Sequence, residues 1–396
     1  MIHRNLPLVR LIKLVISFII IFLLNDCAQY VVRGAIPLGN ENLLRKYLYR
    51  DIDINHQDPL GDTILMMATS AGRIEMVTEI LKHNPDLEKI NNLGETALYI
   101  AACQGRDEII KKLLEAKANV DAKNYESMTP LYCASRRNHL TTVKLLIENK
   151  ADINSRDKFG ITPLMIAANN GSFWALRELI SYGADKNLKS NLEWTALTLA
   201  IDREKEEIIT ELINEKADLE IRDKYERTPL IDAAKKGNLN ILKLLIKGKA
   251  NLNVVTSTKQ TPLFYAIWKN KLNAVEYLVS IGSQLEHKDI YGRTPLMFAC
   301  ERNHPEIVEF LIKQKVNLNT TDRFNRTPLI AAVIAQSPKI VEMLLSYKVN
   351  ANVVTNYKMT ALSYARNIKN NKIISLLENV SAKEIKESES LIRIHD

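Results

Sequence analysis

The sequence predicts an all-α solenoid of about eleven stacked 33-residue units, on three observations. Ten threonines stand 33 residues apart, running from Thr63, Thr96, Thr129, Thr162 and Thr195 through Thr228, Thr261, Thr294 and Thr327 to Thr360. A leucine follows each threonine by two positions and an alanine by five, from Leu65 and Ala68 to Leu362 and Ala365, with no insertion in the register. Apolar residues 14, 17 and 18 positions after the threonine then recur at helical spacing. Self-similarity of this length marks a repeat array, although 396 residues would by length alone suggest two or three domains.

Each element of a unit has a local reason. Threonine suits a helix N-cap, and the proline that follows it at Thr129, Thr162, Thr228, Thr261, Thr294 and Thr327 suits the first turn, where no N–H is needed. The leucine and alanine then fall on one face of a short helix, and the small alanine lets a neighbouring helix come close. The second helix carries its stripe on Val143, Leu146 and Ile147 in one unit and on Leu242, Leu245 and Ile246 in another. Ala-Asp-Ile-Asn (151–154) or Ala-Asn-Leu-Asn (250–253) comes next, and a turn such as Asp-Lys-Phe-Gly (157–160) leads to the next threonine.

This pattern resembles the ankyrin repeat, and the resemblance covers residues 30 to about 379. It implies two antiparallel helices and a β-turn finger per unit, with a protein partner bound through finger tips and the exposed face of the first helix. There are two departures. The family's histidine after Thr-Pro-Leu is absent; Tyr99, Tyr132, Met165, Thr198, Ile231, Phe264, Met297 and Ile330 stand there. The inter-repeat hydrogen bonds of that histidine are therefore expected to be lost or replaced by apolar packing. The glycine that ends the second helix is mostly lysine, at Lys117, Lys150, Lys216, Lys249, Lys315 and Lys348, and only Gly183 and Gly282 keep it. A left-handed lysine costs about 1–2 kcal/mol, so these repeats are expected to be less stable than consensus units.

The ends differ from the array. Residues 1–13 carry His3, Arg4, Arg10 and Lys13 without an acid, and Leu14 to Leu24 is apolar apart from Ser17. A basic stretch followed by such a run is the secretory signal pattern. The run is shorter than the roughly 20 residues of a spanning helix. An uncleaved anchor over Leu8–Leu24, with Arg10 and Lys13 snorkelling, is the alternative. Cys27 is a lipidation candidate: Leu24 stands three before it, as in a bacterial lipoprotein box, but Asp26 takes the place of a small residue. Cleavage near Ala28 and retention as an anchor are the other fates. From segment 1–28 the protein is expected to be exported or membrane-associated, this segment being the candidate for membrane contact. Residues 30–62 fit a degenerate N-terminal capping repeat, 63–379 an array of ten units, and 380–396 a charged tail.

The four cysteines, Cys27, Cys103, Cys133 and Cys300, show no C-x-x-C spacing, so neither a disulfide framework nor a zinc site is expected. Cys103 and Cys133, in first helices of adjacent units, read as small helix-face residues. No catalytic or cofactor motif is present, and the chain is not expected to be an enzyme or to hold a cofactor or metal.

The partner-facing positions implied by the resemblance lie four, three and one before each threonine and seven and eight after it. From Thr129 onward they hold thirteen basic residues against three acids (Glu126, Asp202 and Glu301), far from the whole-chain 54 to 46. Arg136, Arg137, Arg227, Arg293 and Arg326 are the basic candidates for contact, and the last three stand directly before Thr-Pro-Leu. Aromatic candidates are Phe159, Trp194, Tyr225, Trp268, Tyr291 and Phe324, with Tyr125 and Tyr357 in the same set. Arginine and large aromatics carry much of the energy of protein interfaces. The expected partner is a protein with a partly acidic surface, bound by a monomeric scaffold. Nucleic acid is the rival reading, opposed by the diffuse charge and the export signal, and a purely structural membrane-tethered spacer is a third.

Overall fold

The computed structural model describes residues 29–49 and 52–379. The N-terminal segment with Cys27 and the tail 380–396 lie outside the described residues, so the readings made on them are not addressed by it. All regular elements among the described residues are helices. None of these is long and apolar enough to cross a membrane.

The described chain forms two compact units that divide between Ile208 and Ile209. In the first, helix–turn–helix pairs follow one another, for example Ala97–Gln104 with Asp107–Glu115, and Pro130–Arg137 with Leu140–Glu148. In the second, Pro229–Lys236 pairs with Leu239–Lys247, and Pro295–Glu301 with Pro305–Lys313. The short connection at Asn138 and His139 sends each second helix back along the first. The repeating leucine and alanine are the core: Leu131, Ala134, Val143 and Leu146 are fully buried, as are Leu263, Ala266, Val275 and Leu278.

Threonine caps its helix as the sequence predicts. In eight of the ten units its hydroxyl accepts from the backbone N–H three residues on, as Thr129 does from Tyr132 at 3.2 Å; Thr228 and Thr261 make no such bond. All six lysines at the end of the second helix are left-handed, with φ between 53° and 73°. Lys150 donates its N–H to Ile147 O and Ala151 to Leu146 O, the paired closure that makes a left-handed residue necessary there.

Within each compact unit, successive repeats are joined by two ladders. The N–H four before one threonine donates to the carbonyl three before the previous one, as Lys158 does to Glu126 in the first unit and Arg323 to Tyr291 in the second. A side-chain oxygen also accepts a backbone N–H from the next repeat: Asp121 from Asp152, Asn154 from Asp185, Glu220 from Asn251 and Asn319 from Asn350. The missing histidine is replaced in two ways. Asn124 donates to the Tyr99 hydroxyl at 3.3 Å and Tyr132 bonds Asp157 of the next repeat, so polar inter-repeat links persist at these tyrosines. At Phe264 apolar packing takes over, as its ring meets Phe298 with centroids 5.4 Å apart.

One expectation is corrected. Cys103 and Cys133 are joined by a disulfide with their Cα atoms 5.0 Å apart. They lie seven and four positions after their threonines, and stacking by one 33-residue period brings those two helix positions together. A search for short cysteine spacings cannot see a pair made by the stack.

Candidate partner-binding surface

Each finger is closed by one residue five before the threonine. Asp157 accepts from the N–H groups of Phe159 and Ile161 at 2.9 and 2.8 Å. Asp223, Asp289 and Asp322 repeat this bond pair in the second unit, and Asn91, Asn124 and Ser190 supply it in the first. An acceptor side chain reaching its own turn is what makes Asp, Asn, Ser and Thr turn residues. The residue two before the threonine is left-handed, glycine at Gly94, Gly160 and Gly292, but Glu226 and Asn325 in other fingers.

In the second unit the three arginines placed by sequence directly before Thr-Pro-Leu turn back onto these aspartates. Arg227 meets Asp223 at 2.5 Å, Arg293 meets Asp289 at 2.6 Å and Arg326 meets Asp322 at 2.6 Å. Glu301 then bridges Arg293 at 2.6 Å and Arg326 at 3.3 Å, tying two adjacent repeats. Each guanidinium also covers an aromatic ring: Arg227 over Tyr225, Arg293 over Tyr291 and Phe298, and Arg326 over Phe324. The side chains are only 14–21% exposed. Burial alone would push the Asp223 carboxyl up, but Arg227 and two backbone N–H groups outweigh it and hold the carboxyl below its ordinary value. These arginines are therefore components of the finger, with their charge already met. Phe324 stacks on Tyr357 of the next finger, and Trp268 lies under the ammonium groups of Lys235 and Lys269. Burial first, and then the Arg227 charge, lowers the Lys235 ammonium.

The first unit is built differently at the same positions. Met128, Ile161 and Trp194 precede the three threonines Thr129, Thr162 and Thr195, where three of the second unit's five repeats have arginine and the other two Gln260 and Met359. With no guanidinium to cover them, the fingers and first helices leave a groove of about 530 Å³. Met128 and Tyr132 come from one repeat, Phe159, Ile161 and Ile166 from the next, and Leu192, Trp194 and Leu199 from the third. Phe159 is 57% exposed and Leu192 47%, so the apolar wall faces solvent. Burial, and then the Asp157 carboxylate, push the Tyr132 hydroxyl up and keep it protonated.

Cations border this wall. Lys158 sits 5.0 Å from the Phe159 ring centroid while pairing with Glu126, and Arg203 donates to Asn169, a lining residue, at 3.1 Å. The Arg136 charge acts on both Tyr99 and Tyr132, its guanidinium N–H donates to the Cys133 sulfur at 3.6 Å, and Arg137 beside it is exposed. Of the residues singled out from sequence, the structure thus brings Phe159 and Trp194 together in one groove. It engages Arg227, Arg293 and Arg326 within their fingers. Sequence reasoning missed Ile166, Leu192 and Leu199, which carry no signal apart from apolar character, and the aspartates that hold the arginines.

A family model for ankyrin repeats, in a form containing three copies, matches seven overlapping stretches that together run from residue 33 to residue 387. No curated protein matches the chain. The chain belongs to the ankyrin-repeat family, whose repeats are generally protein–protein interaction modules and typically non-catalytic.

Proposed function

We propose that the chain is a non-catalytic binding scaffold whose first-unit groove anchors a large apolar side chain from an extended, partly acidic segment of a protein partner. The observation that carries this reading is the uncovered apolar wall between Phe159 and Trp194. Its volume of about 530 Å³ lies within the range of pockets that take a compact ligand or side chain. Exposed apolar surface rimmed by polar groups is costly to leave bare and marks interaction sites. Lys158 and Arg203 are paired with Glu126 and Asp202, so Arg136 and Arg137 supply the positive bias that favours acidic flanks on the bound segment. Pairing of Arg227, Arg293 and Arg326 inside their fingers removes cations that a phosphate backbone would need, which favours a protein over nucleic acid.

Selection of a random dodecapeptide display library on the immobilised full-length protein tests the reading. Enriched peptides are expected to share one large apolar residue flanked by Asp or Glu. Trp194→Ala is expected to weaken their binding by at least about tenfold, the scale of an aromatic anchor. Trp194 is 36% exposed, so its truncation leaves the core in place. Enriched peptides that bind Trp194→Ala as well as wild type would remove the groove from the proposal. Binding of a single-stranded oligonucleotide in place of any peptide, with log affinity falling steeply on log salt, would mean phosphate recognition instead.

A further inference from the structure

The Cys103–Cys133 bond has a place in the stack that suits a brace. It ties helix Ala97–Gln104 to helix Pro130–Arg137 and closes a loop of sequence separation 30 that contains the whole helix Asp107–Glu115 and a finger. Cys133 is fully buried and Cys103 partly so. The other cysteine among the described residues, Cys300, is fully buried, and burial pushes its thiol far up, which makes it inert. Every cysteine among the described residues is therefore either bonded or sequestered. That inventory fits a compartment in which an accessible thiol would be oxidised at random, and structural disulfides persist where thiols are not kept reduced.

We infer that the array works in an oxidising compartment, where the Cys103–Cys133 bond forms as a structural brace that clamps the helix supplying Tyr132 to the groove. The bond forms by exchange. The thiolate of Cys103, the more accessible of the two, attacks a protein or small-molecule disulfide and releases one thiol. The Cys133 thiolate then attacks the mixed disulfide and releases the second. Two protons and two electrons leave the cysteine pair, and the donor disulfide is reduced to two thiols. The export expected from residues 1–28 points to the same compartment, but the bond is an independent observation. The clamp on the groove rests on the function proposed above; the bond and its compartment do not.

The full-length protein is taken from the cells that make it, alkylated without reductant and digested. The expected product is one peptide pair joined through Cys103 and Cys133. Alkylated Cys103 and Cys133 in separate peptides would overturn the compartment. The brace is read on purified oxidised protein by adding reductant. Its melting temperature is expected to fall by about 5 °C or more, from the length of the loop released. Amide exchange over Pro130–Arg137 is expected to speed by about tenfold or more. The double variant Cys103→Ser, Cys133→Ser should show both effects without reductant and respond no further to it. Unchanged melting and exchange on reduction of the wild-type protein would overturn the brace. Neither readout uses a ligand, so failure here is separate from failure of the groove to bind peptides.

Discussion

Lys150 shows how one residue can be both legible and costly. Its φ of 70° places an L-residue where the Cβ crowds the backbone, and the closing hydrogen bonds of its helix require that conformation. Glycine carries no such penalty. Lys150→Gly is therefore expected to raise stability by about 0.5–1 kcal/mol, seen as a melting temperature higher by about 1–2 °C. Loss of a cation near a helix C-terminus returns only a few tenths of that. A lower melting temperature would refute the argument. This position could be read because the repeat resemblance expects glycine there. Two other left-handed positions in each unit escaped notice, nine after and two before the threonine. Gly105, Gly171 and Gly237 mark the first, and Gly61, Gly94 and Gly160 the second, so the signal was present in some repeats and masked in others by Asn, Glu, Lys, Gln or Ser.

The finger is the element where sequence reasoning and structure part. Arg227, Arg293 and Arg326 were legible as finger residues, but their direction was not. Whether an arginine reaches outward or back by four residues depends on the turn between, and that turn exists only because Asp223, Asp289 or Asp322 binds its own backbone. The consequence is a pH dependence. The Asp223 carboxyl is held below its ordinary value of 3.8 despite burial, because Arg227 and backbone N–H groups favour its charged form. A carboxyl depressed on folding adds stability above its unfolded value and loses it as pH falls through the folded one. Asp223→Asn keeps the acceptor that closes the turn and removes the charge. It is expected to be less stable than wild type at pH 7 by about 1 kcal/mol, with the gap shrinking below about pH 4. Denaturant midpoints for both proteins at pH 7 and pH 3 decide this, and a gap of constant size would sink it. Glu301→Gln should act on two fingers together, since both Arg293 and Arg326 lose a partner. A destabilisation of about 1 kcal/mol is expected, and it should largely vanish in a background where both arginines are already replaced by methionine.

At the scale of the whole molecule the period made the fold legible and hid the site. Repetition reports what every unit shares: the capping threonine, the buried leucine, the small alanine. A binding site lives in what differs, and the decisive difference is a column of residues directly before the threonines. It reads Asp62, Glu95, Met128, Ile161 and Trp194 along the first unit, the last three being consecutive and apolar, and Arg227, Gln260, Arg293, Arg326 and Met359 along the second. Where arginine stands there, an aspartate and an aromatic three-residue finger motif become a covered, ion-paired surface. Where it is apolar, the same aspartate and aromatic, Asp157 and Phe159, border an uncovered groove. Ile161→Arg tests that account by completing the second unit's arrangement inside the first. The new guanidinium would have Asp157 four residues behind it and the Phe159 ring to cover, as Arg326 has Asp322 and Phe324. Stability is expected to change by less than about 2 kcal/mol, because an ion pair as buried as that of Arg326 with Asp322 gains little more than its own desolvation costs. Capture of peptides selected on the wild-type groove is expected to fall by about tenfold or more. Unchanged capture with a formed ion pair would show that the residue before the threonine does not decide where the surface is open.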